Sequence, residues 1–158
     1  MSHAIAPLQD AFWQACEQML MDHTNPWELD EALVAWGYGL GPCEAQDLVG
    51  LDVVLGARAG STPAPILGRM VAEGRLGKKA GWGYYRYPGG GGAVIDPLIE
   101  DLIREEAHFA KRVRDELEGT DLVARLHDIM RAALLADPAS TIALLHFPKD
   151  RLAELSAA

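Results

Sequence analysis

Two neighbouring runs between Gly41 and Tyr87 decide the fold of this chain. The first is GPCEAQDLVGLD at residues 41–52, and the second is RLGKKAGWGYYRY at residues 75–87. A Gly-Pro pair followed by an acidic residue is typical of a helix start, because proline suits the first helical position and a carboxylate favours the helix N-terminus. Gly50 then predicts the end of this helix, and Asp52 is predicted to cap a short following one. The second run lacks a helical period, so we expect residues 75–94 to form an extended loop.

Amphipathic helices are predicted on both sides of these runs. Apolar residues recur at three- and four-residue spacing from Leu8 to Leu20, which indicates a helix with one buried face. Asn25-Pro26-Trp27-Glu28 predicts a second start, with Asn25 as the cap, and Gly37 predicts its end. Ser61-Thr62-Pro63 predicts another helix that ends at Gly74.

The second half of the chain is also predicted to be helical. Asp96-Pro97 should begin a long helix, and Thr120-Asp121 should begin another that ends before Pro138. One or two short helices are expected in residues 137–158. The predicted buried face of the long helix carries Leu98, Leu102, Ile103, Ala107, Ala110, Val113 and Leu117. Strand-like alternation is missing outside the loop, so the fold class is all-α, a bundle of about six to eight helices.

Composition limits the function classes. The chain has 158 residues, 49% of them hydrophobic, which suits one compact domain with a helical extension. Its 23 acidic and 14 basic residues give a net charge of −9, which argues against nucleic acid as a ligand. No apolar run approaches membrane-spanning length, and the N-terminus does not resemble a signal peptide, so we expect a cytoplasmic protein. Cys16 and Cys43 are expected to be small buried core thiols.

Few residues fit a reaction centre. None of the five histidines has a metal-ligand spacing to another histidine or a cysteine, so we expect no metal site and structural or solvated histidines. Gly89–Gly92 lacks the following Lys-Ser/Thr of a phosphate loop and is interpreted as a flexible connector. The one concentration of positive charge lies among aromatic side chains, where it could bind an anionic ligand or act as a structural clamp. Its basic residues are Arg75, Lys78, Lys79 and Arg86, and its aromatic residues are Trp82, Tyr84, Tyr85 and Tyr87.

The two runs together match GP-x-E-x-x-D-x-x-GLD followed by a GRxGxKxGxGFYxY-like run, and they resemble the C-terminal domain of the 3-hydroxyacyl-CoA dehydrogenase family. The resemblance implies a helical bundle that forms a dimer contact and closes one side of an acyl-CoA cleft. It also implies that NAD, the catalytic histidine and its glutamate belong to a partner domain. By position, Leu40, Gly41 and Pro42 correspond to the family's turn near the acyl chain.

Two departures from the family matter. An asparagine that helps to position substrate in the family is replaced here by Ala6. His146-Phe147-Pro148 is similar to the family's catalytic histidine run, but it follows the match instead of preceding it and lacks the asparagine, so we expect no catalytic role for His146.

These observations predict two regions, a C-terminal-type dehydrogenase domain at residues 1–94 and a helical extension at 95–158 that resembles a truncated second copy. We expect no NAD-binding domain ahead of the match, and hence no catalytic residue and no cofactor held by this chain. The leading hypothesis is a module, non-catalytic alone, that binds acyl-CoA or completes a dehydrogenase in trans. The alternatives are an assembly domain without ligand and a weakly active enzyme. The predicted substrate-binding residues are Leu40, Gly41, Pro42, Arg75, Lys78, Lys79 and Arg86.

A homodimer is also expected. The predicted N-terminal helices carry Phe12, Trp13, Trp27 and Trp36, and large apolar surfaces of this kind mark interfaces when they are exposed.

Overall fold

Seven α-helices account for most of the chain in the computed structural model, which describes residues 7–58, 63–136 and 146–151. Three short 3₁₀ turns and a few isolated bridges complete the described part, which contains no strand and confirms the all-α prediction. The 3₁₀ turns are Lys78–Ala80, Pro88–Gly90 and Lys149–Arg151. The helices are α1 Pro7–Asp22, α2 Pro26–Trp36, α3 Pro42–Val49, α4 Leu51–Ala57, α5 Pro65–Ala72, α6 Pro97–Phe109 and α7 Gly119–Ala136.

Helix α1 lies at the centre of the bundle. It packs against α3, α5, α6 and α7, while α2 packs against α3 and α7. Because α1 has neighbours on several sides, Leu8, Met19 and Leu20 are completely buried along it. Fully buried side chains from the surrounding helices close the core, among them Leu33, Ile66, Ile103 and Leu126.

The predicted helix starts in the first half are confirmed where local chemistry sets them. The side chain of Asn25 accepts a hydrogen bond from the Glu28 amide at 2.9 Å, which satisfies one of the donors left unpaired at a helix N-terminus. Helix α2 ends where Gly37 adopts φ of 137°. Gly50 ends α3 and directly precedes α4, so Asp52 lies in the first turn of α4 and does not cap it, contrary to the prediction.

The predicted buried face of the long helix is partly wrong. Helix α6 ends at Phe109, Lys111 takes φ of 57°, and residues 112–118 are not helical. Leu98 and Ala110 are exposed, and Val113 is 92% exposed. Beyond α6 the chain instead packs on the end of α1, where Arg112 donates to Asp22 at 2.8 Å and the Asp115 amide donates to the Asp22 carbonyl at 3.0 Å. The start predicted at Ser61-Thr62 lies outside the described residues. Of the region 137–158, where one or two short helices were predicted, the structure describes residues 146–151, which contain the 3₁₀ turn Lys149–Arg151.

The aromatic residues on the N-terminal helices are divided between core and surface. Phe12 and Trp13 are only 2% and 6% exposed, and Phe12 stacks on Tyr38 with ring centroids 5.5 Å apart. Trp27 and Trp36 are half-buried. Two of the four side chains that motivated the homodimer are therefore internal, and the dimer stays a prediction.

Two further sequence predictions concern single features. Cys16 and Cys43 are buried free thiols, as predicted. Among the described helices, none combines the length and the apolar character that crossing a bilayer would require.

Candidate functional site

Three buried carboxylates organise the centre of the fold, and Asp30 on α2 is the first. Its two oxygens accept the amides of Cys43 and Glu44 at 2.8 and 3.0 Å, so a side chain from α2 caps the N-terminus of α3. Tyr85 donates its hydroxyl to the same carboxylate at 2.8 Å. A cap from another helix is needed because Gly41, at the cap position, has no side-chain acceptor.

Asp47 on α3 holds the aromatic loop in the same way. It accepts the amides of Tyr84 and Tyr85 at 2.9 and 3.0 Å and the hydroxyl of Tyr87 at 2.7 Å. All three tyrosines are buried. The Asp47 carboxylate therefore fixes the loop to the bundle. It provides acceptors for backbone amides that would otherwise be buried without partners.

Glu17 on α1 provides the third contact of this type. Its carboxylate accepts the amides of Ile66 and Leu67 at 2.8 and 3.2 Å, which caps the N-terminus of α5. Burial raises the pKa of Glu17 and that of Asp30 to about 7, and the pKa of Asp47 to about 6, against the opposing effect of the N–H donors. Because the protein's own backbone occupies these oxygens, the three carboxylates act as structural acceptors.

Three glycines of the two runs make room for this network. A Cβ at Gly41 would lie 2.3 Å from the Asp30 side chain, and one at Gly83 would lie 2.2 Å from Asp47 Oδ1. At Gly77 a Cβ would meet the backbone oxygen of Asp47 at 2.3 Å, and φ is 100°. The glycines are therefore required for close approach between α2, α3 and the loop.

Arg75 occupies the interior and not a free surface. It is 4% exposed, pairs with the fully buried Asp96 at 2.9 Å and stacks its guanidinium 4.1 Å from the Trp82 ring centroid. Although burial opposes ionisation, the hydrogen bond from Arg75 keeps the pKa of Asp96 below its ordinary value. Arg75 thus has the clamp role that was one of the two interpretations of this cluster.

The other basic side chains reach the surface. Arg86 is half-exposed and lies 3.3 Å from Asp96, and Lys79 pairs with Asp52 at 2.6 Å. Lys78 is exposed, and no ion pair is found for it within the described residues. Trp82 and Arg86 line a shallow depression of about 340 Å³ beside them.

Lys79 of the basic loop lies away from the Leu40-Gly41-Pro42 turn, although Tyr85 of the same loop contacts Asp30 beside the turn. Gly41 precedes α3, whereas Lys79 reaches Asp52 beyond the C-terminal end of α3. Eight helical residues separate the two positions, a rise of about 12 Å. The substrate-binding assignment stays a prediction, and Lys79 lies at the opposite end of α3 from the turn.

Sequence reasoning did not anticipate an aromatic cluster around His127. Its Nε2 lies 3.0 Å from the Tyr38 hydroxyl, and its ring stands edge-on to Trp36 at 4.7 Å. Phe147 completes the cluster beside Tyr38. Only the alternation of aromatic residues at Trp36 and Tyr38 hinted at it, because His127 and Phe147 are distant in sequence. Among the described residues, no group of three or more potential ligands is placed to hold a metal ion.

Comparison with known proteins gives consistent matches. The chain is 29% identical to the peroxisomal bifunctional enzyme of Cavia porcellus, with 77% of this chain and 20% of that enzyme covered. It is 32% identical to the human peroxisomal bifunctional enzyme over 72% of this chain and 19% of that enzyme. The chain therefore spans about a fifth of the length of these relatives.

Structure comparison supports the fold. The crystal structure of the dehydrogenase part of multifunctional enzyme 1 from C. elegans superposes with a TM-score of 0.69 and 21% identity, covering 95% of this chain and 35% of that one. The family model for the 3-hydroxyacyl-CoA dehydrogenase C-terminal domain matches residues 5–87, which include both runs and the carboxylate network. The chain thus belongs to the 3-hydroxyacyl-CoA dehydrogenase C-terminal domain family.

Proposed function

We propose that this chain supplies the helical, substrate-side part of a 3-hydroxyacyl-CoA dehydrogenase of fatty-acid oxidation. By itself it is non-catalytic, and it completes an enzyme whose NAD is held by a separate nucleotide-binding unit. Family membership and the names of the relatives support this proposal. The homodimer and a cytoplasmic location are further predictions that accompany it.

One observation carries the proposal: the polar groups of the family-like runs are used to build a scaffold. Asp30 and Asp47 accept backbone amides and tyrosine hydroxyls, and Arg75 pairs with Asp96. A general base must instead face a substrate proton. Hydride transfer also needs a bound dinucleotide, which a parallel sheet commonly holds, and the described residues form no such sheet.

Within this scaffold, the acyl chain is assigned to the Leu40-Gly41-Pro42 turn, where Leu40 is half-buried. The phosphates of coenzyme A are assigned to Lys78, Lys79 and Arg86, of which Lys78 is free of ion pairs in the described structure. These positions concentrate basic side chains in an otherwise acidic protein, which favours an anionic ligand there.

A second candidate, an assembly domain without ligand, is supported by apolar side chains on the surface. Leu48, Val49 and Val53 are between 40% and 51% exposed on α3 and α4. Exposed apolar residues grouped on adjoining helices are typical of protein interfaces.

The first experiment measures NADH formation from 3-hydroxybutyryl-CoA. The purified chain, a separately produced NAD-binding dehydrogenase unit and their mixture are compared. We expect turnover in the mixture only. Turnover of a few per second by the chain alone, within the ordinary enzyme range, would contradict the non-catalytic assignment.

The second experiment separates the ligand-binding and assembly candidates. Acetoacetyl-CoA is titrated by calorimetry into the wild type, a Lys78→Ala/Arg86→Ala variant and a Lys111→Ala/Arg125→Ala variant, which removes equal charge from exposed positions elsewhere. We expect weaker binding in the first variant and unchanged binding in the second. Equal weakening would indicate general electrostatics, and no binding in any form would favour the assembly domain.

A further inference from the structure

A groove of about 360 Å³ runs along α7. Helix α7 lines it from Thr120 to Arg131, eleven residues apart, which corresponds to a length of about 16 Å at the rise of an α-helix. Trp36 of α2 and Arg151 of the Lys149–Arg151 turn line it as well. Its volume lies at the lower end of the range for small-molecule sites, so the groove suits a small ligand.

The lining of this groove changes from apolar to basic along α7. Ala124 lies in the first part, and Arg131 lies about two turns further on. Trp36 is level with the middle, because its ring centroid is 4.7 Å from that of His127. Arg151 stacks its guanidinium on Trp36 at 4.0 Å from the ring centroid. Basic side chains therefore follow an apolar end, an arrangement that matches a ligand with an apolar part and an anionic head.

Arg131 carries the observation that points to a ligand. One of its terminal nitrogens pairs with Asp128, which is 53% exposed. Its Nε–H is buried, however, and has no acceptor within the part of the chain that the structure describes. Buried donors in proteins nearly always have a partner. Because a guanidinium only donates, the missing partner of this N–H is an acceptor.

Arg151 is already fixed in position. Besides its stacking on Trp36, it donates to the Trp36 carbonyl. A side chain held in this way loses little freedom when a ligand binds, and the planar guanidinium matches the oxygens of carboxylates and phosphates. Asp128 also lines the groove and opposes an anion there. The two guanidinium groups outweigh it, so this groove is locally basic in a chain of net charge −9.

We propose that the groove along α7 binds a small amphiphilic oxyanion, whose carboxylate or phosphate head contacts Arg131 and Arg151 and whose short apolar chain lies towards Ala124. The inference goes beyond the proposed function and does not depend on it. None of the residues predicted to bind acyl-CoA lines this groove.

The test is an NMR titration of the ¹⁵N-labelled chain with hexanoate, hexyl phosphate and 1-hexanol. The resonance of the Arg131 Nε–H is followed, because it reports on the donor that lacks an acceptor. We expect the two anions to bind in the millimolar range and to move this resonance downfield, and the tighter of the two identifies the head group. The uncharged 1-hexanol should leave the resonance in place, since it brings no charged acceptor.

Substitutions along α7 separate the groove from general charge effects. Arg131→Ala should weaken hexanoate binding at least about tenfold, the usual effect of losing a hydrogen bond to a charged group. Arg125→Ala is the matched control, because Arg125 is exposed on the same helix and does not line the groove. Ala124→Phe, at an exposed position, should weaken hexanoate severalfold by filling the apolar part. Asp128→Asn should tighten binding severalfold by removing the opposing charge.

Each contrary outcome would overturn the proposal. Equal weakening in Arg131→Ala and Arg125→Ala would show that the anion responds to net charge alone. An equal response to 1-hexanol would show that the groove does not recognise an anion. An Arg131 Nε–H that neither anion moves would mean that this donor is not part of a binding site. Unchanged affinity in both Ala124→Phe and Asp128→Asn, whose substituted side chains are exposed, would place the ligand outside the groove.

Discussion

Gly83→Ala is the substitution that most directly tests the carboxylate scaffold. The added Cβ would lie 2.2 Å from Asp47 Oδ1 and 2.7 Å from the Cα of Gly77. Ordinary contact begins near 3.4 Å, so the carboxylate or the loop must move by 3.4 − 2.2, about 1.2 Å. Neither can move freely, because Asp47 holds the amides of Tyr84 and Tyr85.

The cost follows from the bonds that such a shift breaks. Both amide contacts, at 2.9 and 3.0 Å, would stretch beyond hydrogen-bonding distance. Hydrogen bonds to a charged group contribute about 1.5–3 kcal/mol each, so the loss of two destabilises the fold by roughly 3–6 kcal/mol. This is a large part of a typical total stability of about 5–15 kcal/mol.

The assay is urea denaturation followed by circular dichroism and tryptophan fluorescence. Gly68→Ala is the matched control, because Gly68 lies in α5 with nothing within 4 Å of its Cβ position. We expect that control to stabilise the protein by about 0.5–1 kcal/mol, since alanine favours a helix. An unfolding free energy for Gly83→Ala within about 0.5 kcal/mol of wild type, the usual range of surface changes, would refute the scaffold.

Two further predictions concern the other buried charges. Burial raises the pKa of Glu17 to about 7, so the folded state binds more protons than the unfolded state between about pH 4.5 and 7. The unfolding free energy should therefore fall as the pH rises through this range, by up to about 3 kcal/mol. Denaturation across this range should show a flatter profile for Glu17→Gln, and an unchanged profile would contradict the assignment. Arg75→Met should destabilise the protein by about 3–5 kcal/mol, because it leaves the buried Asp96 without its main partner. Lys79→Ala removes only an exposed pair with Asp52, so its thermal midpoint should change little.

The first half of the fold could be predicted because its signals are local. Asn25 caps the helix that starts at the next residue, and Gly37 and Gly50 end the helices that precede them. Each of these effects depends on neighbours within a few residues, so sequence reasoning has access to them. The buried cysteines follow equally from residue type.

Predictions failed where a distant partner decides the local structure. Val113 continues the apolar period of α6, but α6 ends at Phe109 and the segment that follows pairs Arg112 with Asp22, ninety residues away. The contact of Glu17 with the start of α5, forty-nine residues later in the chain, is also invisible to local sequence patterns. Periodicity is insensitive to such contacts.

The candidate site shows the same division. Sequence patterns identified the basic-aromatic loop and gave two interpretations of it, an anion-binding site and a structural clamp. Its basic residues do not all follow the same interpretation. Arg75 is a buried clamp because Asp96 lies within reach, while Lys78 remains at the surface. Arg75 and Lys78 are only three positions apart, so spacing along the chain cannot distinguish them. The difference depends on Asp96, which lies twenty-one residues after Arg75.

The scaffold also gives a structural role to the buried polar side chains in and beside the two family-like runs. Asp30 joins α2 to the start of α3 and to Tyr85, and Asp47 joins α3 to the adjacent tyrosines. The Leu40-Gly41-Pro42 turn therefore lies between α2 and α3, and these two helices belong to one hydrogen-bonded network. A turn fixed in this way can present a shaped surface without contributing acid or base, since positioning alone contributes substantially to catalysis. Such a turn is what the proposed division of labour requires, in which a separate nucleotide-binding unit would supply the chemistry.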